Sequence, residues 1–171
     1  MSGTDPVADQ QELERYRELR ALARRVLFTE RPNHTLAATE VAHEVWLRLS
    51  GTALPEGEVE LADFRRLAAT AMRHVLIDHA RARGRLKRGG AGARISLDAL
   101  ELVTAGDFDD LLAVDEAIEH LAGKDPALAE LVRLRFFAGL TVDETAQALG
   151  ISPRTVDREW TLAKALLQRV L

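Results

Sequence analysis

The last third of the chain contains three helix-start signals spaced so closely that only short helices with tight connections can form there. Asp125-Pro126 and Ser152-Pro153 each place an N-cap side chain before a proline suited to the first helical turn. Thr141 and Glu144 have the spacing of a capping box, in which each side chain bonds to the other residue's backbone. The sequence therefore predicts three short helices within residues 125–170.

The last two of these helices have the spacing of a helix-turn-helix. Ala146 lets the helices cross closely, Gly150 can adopt the left-handed backbone of a tight turn, and Val156 can pack back from the second helix. In this motif the second helix enters the DNA major groove. We therefore expect DNA binding, with a plain helical hairpin as the alternative. The side chains expected to meet DNA are Ser152, Arg154, Thr155, Asp157, Arg158, Thr161 and Lys164.

Apolar residues at helical spacing predict four further helices and no strand in this chain of 171 residues. These helices are expected at about 8–29, from an N-cap at Thr39, at about 61–83 and at about 108–121. Between residues 84 and 106 the chain places 5 of its 11 glycines. The predicted fold is all-α, with a three-helix domain over residues 1–83, a Gly-rich linker over 84–107 and a four-helix domain over 108–171.

The charges of the chain are strongly segregated. Residues 61–95 carry nine basic and two acidic residues, whereas residues 96–150 carry twelve acidic and three basic ones. An arginine-rich helix favours contacts with nucleic-acid phosphates, although charge runs are also common on solvated helix faces. We also expect the acidic stretch to cover the basic helix within the chain, which would weaken DNA binding by the full-length protein.

Composition and spacing also exclude several function classes. The chain has no cysteine, which excludes disulfides, thiol nucleophiles and Cys-ligated metal sites. No apolar run approaches the ~20 residues of a membrane helix and no signal peptide is recognised, so we expect a cytoplasmic protein without a membrane partner. His74 and Asp78 could share a metal on one helix face, but no second cluster supplies further ligands. We expect no enzyme activity, no metal and no cofactor.

Two helical domains, the first rich in arginine and the second with a helix-turn-helix, resemble the extracytoplasmic-function (ECF) sigma factors of bacterial RNA polymerase. The resemblance covers nearly the whole chain. Residues 39–49, with the sequence TEVAHEVWLRL, resemble region 2.2 of that family. The residues that resemble its regions 2.3 and 2.4 are Phe64, Ile77, Asp78 and Arg81.

The second half carries the rest of the resemblance. Residues 134–146 and 150–156 resemble region 4 of the family, which contains its helix-turn-helix. Arg158-Glu159-Trp160, together with Gly89-Gly90 after a basic run, resembles a kinase-associated subgroup. An anti-sigma factor or a Ser/Thr kinase is therefore a candidate partner.

The resemblance implies a subunit that binds core RNA polymerase, through the β′ clamp helices and the β flap, and directs initiation at specific promoters. The first domain would engage the minus-ten element and the second the minus-thirty-five element. The best candidates for capturing flipped bases are the loop at residues 51–63 and the start of the third helix. The expected minus-ten contacts are Arg65, Arg66, Arg73, His74, Asp78, Arg81, Arg85, Lys87 and Arg88. The expected polymerase contacts are Glu40, His43, Glu44, Trp46, Leu47 and Arg48.

Thr39 has two interpretations. The stretch Leu36–Glu40 is less acidic than its counterpart in the family, and phosphorylation of Thr39 would add about −1.5 to −2 charges at a helix N-terminus. The alternative is that Thr39 is only an N-cap. Two other functions also stay open for the chain as a whole: a stand-alone helix-turn-helix transcriptional regulator, and an adaptor that uses the basic helix to bind RNA or protein.

Overall fold

The computed structural model describes residues 6–27, 37–51, 60–86 and 108–171. Over these ranges the chain forms seven α-helices and no strand, which confirms the predicted all-α fold class. None of the described helices is long and apolar enough to pass through a lipid bilayer. The helices are α1 (Pro6–Val26), α2 (Ala38–Gly51), α3 (Leu61–Leu86), α4 (Phe108–Ala122), α5 (Pro126–Phe137), α6 (Val142–Leu149) and α7 (Pro153–Leu167).

The first three helices pack together through aliphatic faces. Leu19 and Leu22 of α1, Val45 of α2 and Phe64 of α3 are all within 1% of complete burial. Each such side chain contributes about 1.5–3 kcal/mol by leaving water, so this apolar core holds α1, α2 and α3 together.

The last four helices are arranged around α5, which contacts α4, α6 and α7. Its start is fixed by Asp125, whose Oδ1 accepts a hydrogen bond from the backbone N of Leu128 at 2.9 Å. Leu131, Leu134 and Phe137 of α5 are buried among the neighbouring helices. The three short helices predicted from their start signals are therefore confirmed.

The two groups of helices are in direct contact. α3 packs against α4, α5 and α6 as well as against α1 and α2. The turn between α5 and α6 also approaches α1 closely: Gly139 has φ +61°, and a Cβ there would lie 3.0 Å from the Cβ of Arg25. Glycine alone fits this backbone and this spacing comfortably. The division at residues 84–107 stays a prediction, because residues 87–107 lie outside the described ranges.

Several predicted helix ends were wrong. α2 begins at Ala38, and Glu40 Oε2 accepts the backbone N–H of Ala37 at 3.0 Å, so the cap lies at Ala37 and Thr39 is in the first turn. α3 continues through Gly84 to Leu86 instead of ending near residue 83, since a glycine costs a long helix only about 1 kcal/mol relative to alanine. α1 ends at residue 26 and α7 at residue 167, each three residues before its predicted end.

Candidate nucleic-acid interface

The α6–α7 segment has the geometry of a helix-turn-helix. Thr141 Oγ1 accepts the Glu144 backbone N–H at 3.2 Å, and Glu144 Oε2 accepts the Thr141 backbone N–H at 2.8 Å, which completes the predicted capping box. Gly150 ends α6 in the left-handed conformation, with φ 65° and ψ 31°. Ser152 then caps α7 by accepting the Thr155 backbone N–H at 3.1 Å. These local signals fix the start of α7 relative to α6.

One side of α7 is buried, and the opposite side is exposed and mostly polar, with Leu162 as an exposed apolar side chain among the polar ones. The buried residues of α7 are Val156, Trp160, Ala163 and Leu167. Of the seven side chains expected to meet DNA, five are exposed and two, Thr155 and Lys164, are half-buried. The exposed residues of that set are Ser152, Arg154, Asp157, Arg158 and Thr161. The arrangement therefore gives α7 an outward face of hydroxyl and charged groups, the types that bind phosphates and base edges.

The charges on this outward face are partly balanced by local contacts. Arg158 donates through Nη2 to Glu159 Oε1 at 2.7 Å, so the acidic residue next to it orients its guanidinium. Thr161 donates its hydroxyl to the backbone oxygen of Asp157 at 2.9 Å. Glu159 thus pairs with an arginine of α7 itself.

Two cations lie over the ring of Trp160 and were not linked to it by sequence reasoning. Arg135 Cζ of α5 lies 4.9 Å from the ring centroid, and Lys164 Nζ lies 6.0 Å from it. Arg135 also donates through Nη1 to the backbone oxygen of Leu140 at 3.2 Å, in the connection that leads to α6. Arg135 therefore joins α5, the α5–α6 connection and α7. Its sequence signal is weak, since it is one of two arginines in a mostly apolar helix and nothing local singles it out.

Two of the arginines predicted to meet the minus-ten element, Arg65 and Arg73, are already bonded to carboxylates. Arg65 donates through Nε to Glu18 Oε1 at 2.7 Å and through Nη2 to Glu144 Oε1 at 3.1 Å, and its side chain is only 10% exposed. Arg73 makes two hydrogen bonds to Asp115, at 2.5 and 3.0 Å. The hydrogen bonds that Arg73 donates to Asp115 raise the pKa of its guanidinium against the opposing effect of burial.

Other members of the predicted minus-ten set occupy exposed positions on α3. His74, Asp78 and Arg81 are exposed, as is Arg66, whose Nε lies 3.7 Å from Glu130 Oε1. α3 also includes Arg85. Lys87 and Arg88 lie outside the described residues, as do residues 52–59 of the segment expected to capture bases. α3 therefore carries these residues in two environments. Arg65 and Arg73 are bonded to carboxylates of other helices, whereas Arg66, His74, Asp78 and Arg81 are exposed.

The predicted polymerase contacts lie on α2 and differ in exposure. Glu40, His43, Leu47 and Arg48 are exposed, and the leucine is 57% exposed. The other two predicted contacts, Glu44 and Trp46, are half-buried. Trp46 packs edge-on against Tyr16 of α1, with ring centroids 5.9 Å apart.

Two ion pairs join α2 to α3 beside this surface. Arg48 Nη2 lies 2.7 Å from Asp78 Oδ2, and this hydrogen bond, with nearby positive charges, lowers the pKa of the Asp78 carboxyl. Glu44 Oε1 lies 2.9 Å from His79 Nε2. Each pair joins a residue of the predicted polymerase surface to α3. In the described part of the chain, no group of three or more His, Asp and Glu side chains could hold a metal ion.

Comparison with known proteins gives one match. The sequence profile of the ECF sigma factor family matches residues 2–171 of the chain. No curated protein and no solved structure matches the chain. The matched range contains α1–α7 and the helix-turn-helix. The chain therefore belongs to the ECF sigma factor family, a family of non-enzymatic proteins that bind RNA polymerase and direct promoter-specific transcription initiation.

Proposed function

We propose that this protein reads the minus-thirty-five element of its promoters with the outward face of α7 and engages the minus-ten element with α3. The observation that supports the proposal is the exposed, mostly polar side of α7, which is the second helix of a capped helix-turn-helix. Arg154 lies in the first turn of α7, where a guanidinium can reach a guanine edge or a phosphate.

The second part of the proposal concerns polymerase docking through α2. Leu47 is a largely exposed apolar side chain on a helix whose other exposed residues are mostly charged or polar. An exposed leucine of this kind is a suitable anchor for a protein partner, since apolar anchors in desolvated pockets dominate many interfaces. We assign the β′ clamp helices as the partner of α2 and the β flap as a partner of the second half.

Regulation by an anti-sigma factor or a Ser/Thr kinase belongs to the same proposal. Thr39 is exposed in the first turn of α2, where a phosphate would be favoured by the helix dipole. Phosphorylation there would add negative charge next to the proposed polymerase surface. Full transcription by Thr39→Ala under activating conditions, with Thr39 unmodified by mass spectrometry, would exclude this role.

The experiment is in vitro transcription with core polymerase and a genomic promoter library. The wild-type protein should initiate at a defined set of promoters. Arg154→Ala should lower initiation there by about tenfold, because losing an arginine contact to a base edge weakens recognition of the correct promoter by ~1.4 kcal/mol. Arg169→Ala is the matched control, since it removes the same charge from an exposed position beyond the end of α7. A protein that leaves core polymerase inactive but footprints alone on a palindromic site would instead be a stand-alone regulator.

Docking has its own pair of variants. Leu47→Glu should weaken binding to core polymerase by more than about tenfold, as expected for an interface anchor worth at least ~2 kcal/mol. Leu13→Glu is the control, because Leu13 is an exposed leucine on α1 outside the proposed surface. Equal binding by the two variants would remove α2 from the polymerase interface.

A further inference from the structure

Arg158 lies on the outward side of α7 and forms an ion pair with the next residue of the same helix. Glu159 Oε1 accepts Arg158 Nε at 3.1 Å and Arg158 Nη2 at 2.7 Å. Adjacent residues of a helix do not face each other, because they differ by about 100° around its axis. The arginine side chain therefore bends along the helix surface toward Glu159, which gives its guanidinium a defined position on α7.

The two members of this pair differ in exposure. The side chain of Arg158 is 74% exposed, whereas that of Glu159 is 27% exposed. Glu159 is also followed directly by the buried Trp160. Packing restricts the more enclosed side chain, and a side chain held by packing can orient one that projects into solvent. Glu159 is therefore the support, and Arg158 is the group that it holds.

The pair occupies one edge of the guanidinium and leaves the other. A guanidinium has five N–H donors in a planar fork. Glu159 accepts from Nε and from Nη2, so the edge formed by Nη1 and the second hydrogen of Nη2 stays available to another partner. In the described part of the chain, Glu159 is the one residue that forms an ion pair with Arg158. Guanine presents two acceptors in the major groove, O6 and N7, which match such an edge.

The charge of Glu159 also makes this position better suited to a base edge than to a phosphate. A phosphate carries a full negative charge, and the carboxylate repels it within the screening length, about 8 Å at physiological salt. A base edge carries no net charge, so the same carboxylate opposes it much less. Arg154 lies one turn earlier on the same face, is exposed, and has no ion pair among the described residues. Two arginines of one face thus differ in whether a carboxylate holds them.

We propose that Glu159 is a positioning residue that determines promoter specificity, because it holds Arg158 with the Nη1–Nη2 edge directed at a guanine in the major groove. An arginine that is already held loses less side-chain freedom when it binds its base. The carboxylate also weakens the attraction of Arg158 to phosphates at other sequences. Both effects increase the ratio of specific to non-specific binding. The inference rests on the proposed function, since it needs α7 to read the upstream promoter element.

The main test is selection of DNA by the holoenzyme formed from core polymerase and the full chain. A duplex library randomised in the upstream promoter element is bound, and the bound duplexes are sequenced. The wild type should prefer guanine at least about fivefold at the position that Arg158 reads, the lower end of what a bidentate contact provides. Arg158→Ala should remove this preference, and so should Arg158→Lys, because an amine keeps the charge but has no fork. A full set of wild-type preferences in both variants would overturn the proposal.

The variant that tests Glu159 itself is Glu159→Gln, which keeps the size and the helix propensity of the side chain. It should lower the guanine preference at the Arg158 position by at least about threefold, a part of the factor that the contact provides. The matched control is Glu116→Gln, the same substitution at an exposed position of α4 without an ion pair among the described residues. This control should keep the wild-type preference. Equal guanine preference in the two variants would refute the role of Glu159.

Two further measurements separate positioning from a purely structural role. In the Arg158→Ala background, Glu159→Gln should leave the selected sequences unchanged, because the carboxylate acts through the arginine; a remaining effect would contradict positioning. In the free full-length protein, the NMR order parameter of the Arg158 Nε–H bond should fall in Glu159→Gln and stay unchanged in Glu116→Gln. The same order parameter in both variants would mean that Glu159 does not hold the guanidinium.

The outcomes also separate this inference from the proposed function. If Arg154→Ala changes the selected upstream sequence but Glu159→Gln does not, the proposed function stands and the inference fails. If the wild-type holoenzyme shows no upstream sequence preference, both fail. Thermal unfolding checks the fold: exposed ion pairs add little stability, so the midpoint of Glu159→Gln should stay within about 2 °C of the wild type. A larger fall would assign Glu159 a structural role instead.

Discussion

The two helices expected to meet DNA, α3 and α7, present their guanidinium groups in opposite ways. On α7, Arg154 and Arg158 are exposed, and the second of these is bonded only to its neighbour Glu159 among the contacts resolved. On α3, Arg65 and Arg73 are bonded to carboxylates that come from other helices. An arginine-rich sequence therefore does not by itself reveal which cations are available to a polyanion.

The difference follows from how each helix is packed. α7 packs on α5 and α6 along one apolar stripe, which leaves its other side to solvent. α3 is packed by five helices, α1, α2, α4, α5 and α6. A cation enclosed in this way must be paired, since an unpaired buried charge is very costly. We therefore expect the paired arginines of α3 to contribute more to the free energy of unfolding than the exposed arginines of α7.

The largest contrast should come from the same substitution made in both helices. Arg73→Ala leaves Asp115, which is 5% exposed, as an unpaired buried carboxylate and should lower the free energy of unfolding by about 3 kcal/mol. Arg154→Ala should change it by less than about 0.5 kcal/mol, as is usual for an exposed surface residue. Urea unfolding at neutral pH measures both values, and similar losses would refute the packing argument.

Lowering the pH should loosen the contact made by Glu144. Burial alone would raise its pKa, but hydrogen bonds from Arg25 and from the Thr141 backbone outweigh burial, and the pKa is lowered from its usual 4.5. Arg65 faces the same carboxylate and is shared with Glu18. A carboxyl whose pKa is lower in the folded state adds stability above its unfolded pKa and loses it as the pH falls through the folded value.

The measurement compares the wild type with Glu144→Gln by urea unfolding from pH 7 to pH 3. At neutral pH the wild type should be more stable by about 2 kcal/mol, the value of hydrogen bonds to a charged group. The difference should shrink as the pH falls below about 4.5, because both proteins then carry a neutral side chain. A difference that is independent of pH would mean that the charge of Glu144 does not hold the two groups of helices together.

How much of the structure can be predicted from the sequence depends on how far apart along the chain the interacting residues lie. The start of α6 was predictable because Thr141 and Glu144, which cap it, are three residues apart. The contact between Arg73 and Asp115 joins residues 42 apart, and no local pattern identifies that pair. Segregation of charge indicated that the two segments would attract each other. It could not specify which carboxylate meets which arginine, because that depends on the rotation of α3 against α4.

The same reasoning explains the predictions for α2 and α7. The outward face of α7 follows from one apolar stripe, so the exposed positions were predictable by spacing alone. Thr39 was misplaced as an N-cap because Glu40 caps the helix from inside, by accepting the backbone N–H of Ala37. A residue with good N-cap propensity can lie in the first turn when another side chain satisfies the free N–H.

A smaller effect is expected at the cation pair over Trp160. Arg135→Met removes the closer cation and its bond to the Leu140 backbone, and should cost about 1–1.5 kcal/mol. Lys164→Met removes the cation at 6.0 Å, the outer limit of such contacts, and should cost less than about 0.5 kcal/mol. Thermal unfolding of both variants measures the difference, and equal losses would show that Arg135 acts through something other than this ring and this backbone bond.

A further small effect should come from the exposed pair of Arg48 and Asp78, whose side chains are 41% and 57% exposed. Water screens such a pair, so a double-mutant cycle with Arg48→Ala and Asp78→Ala should give a coupling of about 0.2–1 kcal/mol, despite the lowered pKa of Asp78. The coupling should fall further in 1 M salt, where the screening length is about 3 Å. A coupling of about 3 kcal/mol, as large as the loss expected for Arg73→Ala, would mean that bond geometry, and not burial, decides the strength of these pairs. Together with the less exposed pair of Arg73 and Asp115, this cycle separates the effect of a short hydrogen bond from the effect of removing water.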